Sequence, residues 1–176
     1  VVCNGDVGPA MDAAVNVLEG DMRVGAQEHF YLEPHALLAI PGETYGEMHI
    51  VSCTQCVTKS AKCVAGCVGV NEAKVKVVVK RLGGGFGGKT TVYLEPLAVV
   101  LAQKAGRPVK MVMDRGDVFR ATGGAPGAET RVKLGATREG KLVAADVDCL
   151  MDSGAYNGGP AAFPVYMATA CYKLSD

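Results

Sequence analysis

Gly83, Gly88, Lys89 and Thr90 stand at the spacing G-x-x-x-x-G-K-[ST] inside the stretch RLGGGFGGKTT, residues 81–91. That spacing suits a phosphate site, because successive backbone N–H groups cradle oxyanions while the lysine reaches the terminal phosphates and the hydroxyl holds Mg²⁺. An apolar run, KVKVVVK, precedes the stretch and LEPLAVVLAQKAG follows it, so strand, glycine loop and helix come in the order a nucleotide site requires. Asp114, after VKMVM, could supply the metal-binding carboxylate. Three features weigh against this reading. Phe86 would place an apolar ring among phosphate-binding amides. Pro96 interrupts the helix unless it occupies the first turn. Downstream the chain turns into a hairpin instead of further strand–helix units. A P-loop nucleotide hydrolase using Lys89, Thr90 and Asp114 therefore stays open beside a glycine loop that lies against a different cofactor.

Four of the seven cysteines, Cys53, Cys56, Cys63 and Cys67, form C-x2-C-x6-C-x3-C. Four thiols in fifteen residues could hold zinc or an iron–sulfur cluster, so a non-enzymatic cysteine-rich metal-binding module is a second alternative. The spacing fits no standard zinc ribbon, and buried free cysteine commonly acts as a small hydrophobe. An odd number of cysteines also argues against a complete disulfide framework. His29, His35 and His49 show no ligand spacing with one another. Asp146, Asp148 and Asp152 read as one solvated strand face, not an acid/base pair.

The elements that position these residues follow from periodicity. Residues 11–19, MDAAVNVLE, read as a short helix. EPHALLAIPGE reads as a strand ending at a Pro-Gly turn, and GEMHIVSC as another, with Met48 and Ile50 alternating against His49 and Val51. TKSAKCVAGCVGV places Ala61, Val64, Ala65 and Val68 on one helical face. KVKVVVKRL puts Val75, Val77 and Val79 on one side of a strand. A helix from about Glu95 ends at Gly106, and RPVKMVMD is the next strand. ETRVKLGATREGKLVAADVDCLMDSGAY reads as a hairpin turning at residues 138–140. The loops ATGGAPGAE and NGGPAAFP flank it. The fold class expected is α+β, with mixed sheets and helices and more strands than helices.

The composition is that of a globular chain: 49% hydrophobic residues and 20% charged. Lys plus Arg equals Asp plus Glu at 18 each, which leaves no electrostatic argument for nucleic acid or an anionic membrane. No basic leader and no long apolar span is visible, so the expected compartment is the cytoplasm, with the thiols reduced. Val1 and Asp176 read as cut ends of a longer polypeptide, which makes 1–176 a single partial domain.

GAQEHFYLEPHALLAIPGE, VSCTQCVTKSAKCVAGCVGV, VKVVVKRLGGGFGGKT, AGRPVKMVMDR and ATGG occur in that order. From roughly Gly20 to the end, the chain resembles the molybdenum hydroxylases, the xanthine dehydrogenase and aldehyde oxidase family. The segment from Gly25 and GGGFGGK together carry the likeness; either alone is weak. The resemblance implies the N-terminal part of a larger molybdopterin-binding domain. It implies oxidative hydroxylation of a small-molecule carbon with oxygen derived from water. Two electrons would leave through iron–sulfur clusters, with FAD a further carrier, on other domains or subunits. It assigns cofactor contacts to Gln27, on an oxo ligand, to Phe86, beside the metal, and to Gly87, through its N–H, with Gly85 in the same wall. It places no catalytic residue and no metal-ligating side chain in this chain, because the family's general-base glutamate lies far beyond Asp176. It also makes none of the four clustered cysteines a cluster ligand, and gives His29 a structural role.

Two departures bear on substrate. Xanthine-oxidising members carry Glu directly after the GGGFGGK lysine, where this chain has Thr90. They carry Arg eight residues before the CYK segment, where this chain has Phe163. Losing a carboxylate and a guanidinium removes the groups that would hold a purine's polar edge. An aldehyde or a less polar heteroaromatic compound is the expected substrate.

Overall fold

Short apolar runs with strict alternation build the central part of the chain. The computed structural model describes residues 3–155, 166–168, 170–172 and 174. They form two compact units, one from residues 28–125 and one from the flanking segments.

The central unit holds a four-stranded sheet in the order β4-β3-β2-β5. Its strands are β2 (Ala36–Pro41), β3 (Met48–Ser52), β4 (Val75–Val78) and β5 (Val109–Val112). β2 runs antiparallel to β3 and β5, whereas β3 and β4 are parallel. A parallel pair needs a crossover, and helix α2 (Val57–Val68) supplies it. Met48 and Ile50 of β3 are buried while His49 is exposed, the alternation expected from the sequence. α2 buries Ala61, Val64 and Ala65, and Gly69 ends it at φ 69°, a left-handed cap that glycine adopts without strain. α3 (Glu95–Ala105) starts with Pro96 in its first turn and stops at Gly106, also left-handed. Its small residues Ala98 and Ala102 are fully buried and let the helix sit close on the sheet. One core joins Leu37, Ala39, Met48, Ile50, Val64, Val75, Ala98 and Val99.

α4 (Arg115–Ala121) was not expected from periodicity, since it is only seven residues long. Its signal is a capping box: Asp114 Oδ1 accepts from Asp117 N at 2.7 Å, and Asp117 Oδ2 accepts from Asp114 N at 3.2 Å. Asp114 is thus a helix cap and not a strand-end metal ligand.

The flanking unit carries α1 (Val7–Asp12) and a three-stranded antiparallel sheet, β1-β6-β7. β6 (Ala128–Ala136) and β7 (Leu142–Met151) are the expected hairpin, closed by Thr137 N donating to Lys141 O at 2.9 Å. The helix expected over residues 11–19 is corrected. α1 ends at Asp12, and Asn16–Val24 is strand β1, paired along its length with β6. The ladder overrides local helix propensity. One face of this sheet alternates charge across the strands. Glu19, Lys133 and Asp146 lie opposite one another, as do Asp21, Arg131 and Asp148. Lys133 closes on Glu19 at 2.8 Å. Asp146 and Asp148 are therefore members of exposed charge ladders, as their reading as a solvated face anticipated. Asp152 lies just past β7, where its Oδ1 accepts from Gly154 N.

Ile50, 1% exposed, sits at the centre of the core. Ile50→Ala is expected to destabilise the central unit by about 2–5 kcal/mol, and Ile50→Val by about 0.5–1.5 kcal/mol. Urea unfolding of the full-length protein checks both; equal midpoints for the two variants would contradict the packing described.

Candidate functional site

The glycines at 83–88 are there because side chains have no room or the backbone needs positive φ. A Cβ on Gly85 would fall 2.5 Å from Gln55 Cδ, and one on Gly88 would fall 2.7 Å from Tyr31 Cε1. Gly87 has φ 98°, and Phe86 itself has φ 50°. A left-handed non-glycine residue costs about 1–2 kcal/mol and persists only when its surroundings hold it. The result is a loop that projects the Phe86 ring outward, 74% exposed, from a neck with little freedom.

Four sets of contacts fix that neck. Gln55 Oε1 accepts from the N–H groups of Gly87 and Lys89, each at 3.1 Å, while Gln55 N donates to Lys89 O at 2.9 Å. Thr54 donates to the same Lys89 carbonyl at 3.2 Å and is itself braced by Ser60 and the Cys56 N–H. Within the loop, Gly88 N donates to Gly85 O, and the Thr90 hydroxyl donates to Gly87 O, both at 2.7 Å. Glu33 Oε2 accepts from Gly83 N at 2.7 Å and from Lys89 Nζ at 2.8 Å.

Lys89 decides against the nucleotide reading. Its side chain is fully buried, ion-paired with Glu33, and lies 4.8 Å from the Tyr31 ring centroid. It points into the protein, away from any phosphate the loop could cradle. The helix that would face phosphates begins only at Glu95, and Asp114 caps α4. Thr90 spends its hydroxyl on the loop's own carbonyl. The cysteine-module reading fails as well. Among the described residues no group of three or more His, Cys, Asp or Glu side chains could hold a metal ion. Cys53 is buried, accepting from Ala36 N, and burial beside Cys67 pushes the Cys63 thiol pKa up, so that it stays a thiol.

Around this loop the residues 28–35 supply a buried polar floor. Tyr31 OH and His35 Nε2 are 2.7 Å apart. Burial, aided by the Lys89 charge, lowers the His35 pKa and keeps the ring neutral. Arg115 reaches from α4 to the carbonyls of Tyr31 and Leu32. His29 lies against Gly88, where an added Cβ would come within 2.9 Å of its ring, and its Nδ1 is buried without a hydrogen-bond partner, as is Glu28 Oε1.

Gly85, Phe86 and Gly87 lie in the braced loop. Gln27 is exposed just beyond β1, in the flanking unit, and Phe163 lies outside the described residues. Gln55, the fourth residue of SCTQC, carries no spacing signal, because its partners in the loop stand 32 and 34 residues away. The Gly87 N–H, expected to face a ligand, donates to Gln55. The loop N–H groups without a partner among the described residues are those of Gly84, Gly85 and Phe86, and Gln55 Nε2 has none either. An oxygen-rich ligand at this loop has these donors available to it, and the residues present fit such a group.

The sequence model of the molybdopterin cofactor-binding domain matches residues 1–176. The chain belongs to that family. It is 44% identical over 153 residues to a xanthine dehydrogenase from Emericella nidulans and 37% identical over 152 residues to aldehyde oxidase 3 from Rattus norvegicus. The alignments cover 86% and 85% of this chain but only 11% of each relative, so the chain spans about a ninth of those proteins. Among solved structures it superposes on the aldehyde oxidoreductase of Desulfovibrio gigas with a TM-score of 0.72 and 32% identity, over 84% of this chain and 16% of that one. Quinoline 2-oxidoreductase from Pseudomonas putida 86 gives 0.72 at 26% identity, over 88% and 20%. The mixed α and β architecture expected from sequence is that of these domains.

The floor of the site carries a pH dependence of known sign. Burial alone would raise the Glu33 pKa, but the Lys89 ammonium and the Gly83 amide hold it below its ordinary 4.5. Its stabilisation is present above that value and is lost as pH falls through the lowered one. His35, held below its ordinary 6.5, contributes stability that is present above that pH and declines beneath it. The thermal midpoint of the full-length protein is expected to fall in two stages on acidification. His35→Gln should abolish the first stage and leave the second; an unchanged first stage would contradict the assignment.

Proposed function

We propose that the full-length protein is a molybdenum hydroxylase and that this chain supplies one wall of its cofactor site. The observation that carries this reading is the braced glycine loop. It presents Phe86 in a left-handed conformation and leaves the N–H groups of Gly84, Gly85 and Phe86 and the Gln55 Nε2 without partners among the described residues. When bound, the molybdenum cofactor supplies the oxidation, placing oxygen derived from water on a substrate carbon.

This chain's residues bind and orient. Gln55 is held through its Oε1, which leaves its Nε2 as a donor that would serve the cofactor's oxygen ligands. Gly85, which tolerates no side chain, keeps the Gln55 amide flush with the loop. Gly87 leaves space on its outer side, where an added Cβ would meet only His29 at 3.6 Å. Phe86 forms an apolar wall that excludes water and orders a flat or small substrate. Gln27 enters the proposal as a further donor. Preorganised donors of this kind need no reorganisation during reaction.

The substrate class is an aldehyde or a weakly polar heteroaromatic compound. Thr90 presents no carboxylate, and its hydroxyl is already engaged by Gly87. Electrons would pass to iron–sulfur and flavin centres on other domains or subunits, in a cytoplasmic enzyme. Among the described residues no helix is long and apolar enough to cross a membrane.

Molybdenum content of the purified full-length protein tests the reading. The wild type is expected to hold close to one molybdenum per chain, and Gln55→Ala to weaken retention about tenfold. A comparable loss in Gln27→Ala supports a contact there, whereas wild-type content in that variant assigns the donor to Gln55 alone. Wild-type protein with a normal fold and no molybdenum would sink the proposal.

A further inference from the structure

A single carboxylate oxygen closes the loop at both ends. Glu33 Oε2 accepts from Gly83 N, where the glycine run begins, and from Lys89 Nζ, where it ends. The Glu33 main chain adds a third tie, its N–H donating to Gly83 O at 3.1 Å. Between those anchors lie three positive-φ residues, Gly84, Phe86 and Gly87. A strained backbone of this kind keeps its shape only when its ends are fixed. Gln55 and Thr54 hold the Lys89 end through the main chain. Among the described residues the Gly83 end has no comparable tie except Glu33.

We propose that Glu33 and Lys89 are positioning residues, a charged clasp that sets where the Phe86 ring and its N–H stand relative to the cofactor. The inference rests on the molybdenum-site reading above. Lys89 is fully buried beneath the loop, and Glu33 Oε2 is engaged by Lys89 Nζ and Gly83 N at the neck. Their effect travels through the loop geometry. If the carboxylate loses its charge, its hold on the Lys89 ammonium weakens while the main-chain tie from Glu33 N–H to Gly83 O remains, so the two ends of the loop are no longer fixed to one point and the positive-φ segment, with Phe86, shifts.

The choice of glutamate and lysine suits this task. A neutral amide at 33 still has an oxygen with two lone pairs for these donors, but it would hold the buried ammonium only weakly. A fully buried lysine has no second anion to turn to, because Glu33 is the one acidic group within salt-bridge distance of it among the described residues. The clasp is therefore one arrangement and not an average over several.

The test uses full-length enzyme carrying Glu33→Gln and, separately, Glu33→Asp, which keeps the charge but shortens the reach. Molybdenum content, thermal midpoint, the EPR spectrum of the Mo(V) state and steady-state kinetics are measured on each. The expected result is retained molybdenum, an altered Mo(V) spectrum and kcat lowered on the order of tenfold to a hundredfold in Glu33→Gln. KM is expected to change less than kcat, and Glu33→Asp to fall between that variant and wild type. A lowered thermal midpoint with unchanged spectrum and kcat makes the pair merely structural and overturns the proposal. If Glu33→Gln does not fold, Glu33→Asp decides alone by the same spectrum and kcat. Wild-type protein without molybdenum overturns the site reading first, and the clasp's role with it.

Discussion

A buried ammonium needs an anion, and the central unit is arranged around that requirement. Lys89 is wholly removed from water, so its charge is tolerable only with Glu33 in contact. The pair draws together residue 33, just before β2, and residue 89, just before α3. Because Glu33 keeps 37% of its side chain exposed, truncating it costs less than breaking a fully buried pair, about 1–3 kcal/mol. That figure is the size of the strain held by a left-handed Phe86. Removing the pair would therefore change the shape of the loop before it unfolded the sheet beneath.

The sheet contributes rigidity and direction. β3 and β4 are parallel and bridged by α2, which leaves residues 53–56 at the end of β3 facing the start of the crossover. There Thr54 and Gln55 turn their polar atoms to the loop, while Ser52 reaches Glu95 at the first turn of α3 at 3.0 Å. One strand end thus anchors both the glycine loop and the helix that follows it. Glu95 is buried, and its second oxygen accepts from Tyr93 N, so the segment between loop and helix is tied at its far end too.

Much of this was legible from residue order. The alternation in GEMHIVSC, the face of α2 and the hairpin at 138–140 follow directly from apolar spacing. Two elements were not. β1 carries Glu19, Gly20 and Asp21 at its centre, which hides the period of Leu18, Met22 and Val24; only pairing with β6 reveals it. α4 is too short for periodicity, although its Asp-x-x-Asp cap was readable. At the site, Gly85, Phe86 and Gly87 could be chosen by kinship. Gln55 could not be found by spacing, because its partners lie more than thirty residues away, at separations of 32 and 34. Contacts that cross a helix and a strand leave no local trace in sequence.

The likeness to a phosphate loop has a physical origin. Any loop that brings backbone donors close to an oxygen-rich ligand needs glycine, because only glycine allows that approach. Glycine density therefore identifies the shape of the ligand's surface and not its chemistry. What separates the two is the direction of the lysine. A phosphate loop turns it outward, to add positive charge where negative charge sits. Here it turns inward, against Glu33 and the Tyr31 ring, and the outward position is given to an apolar phenylalanine. A loop that withdraws its cation and offers a ring presents an apolar, uncharged face, and its lysine serves the loop itself.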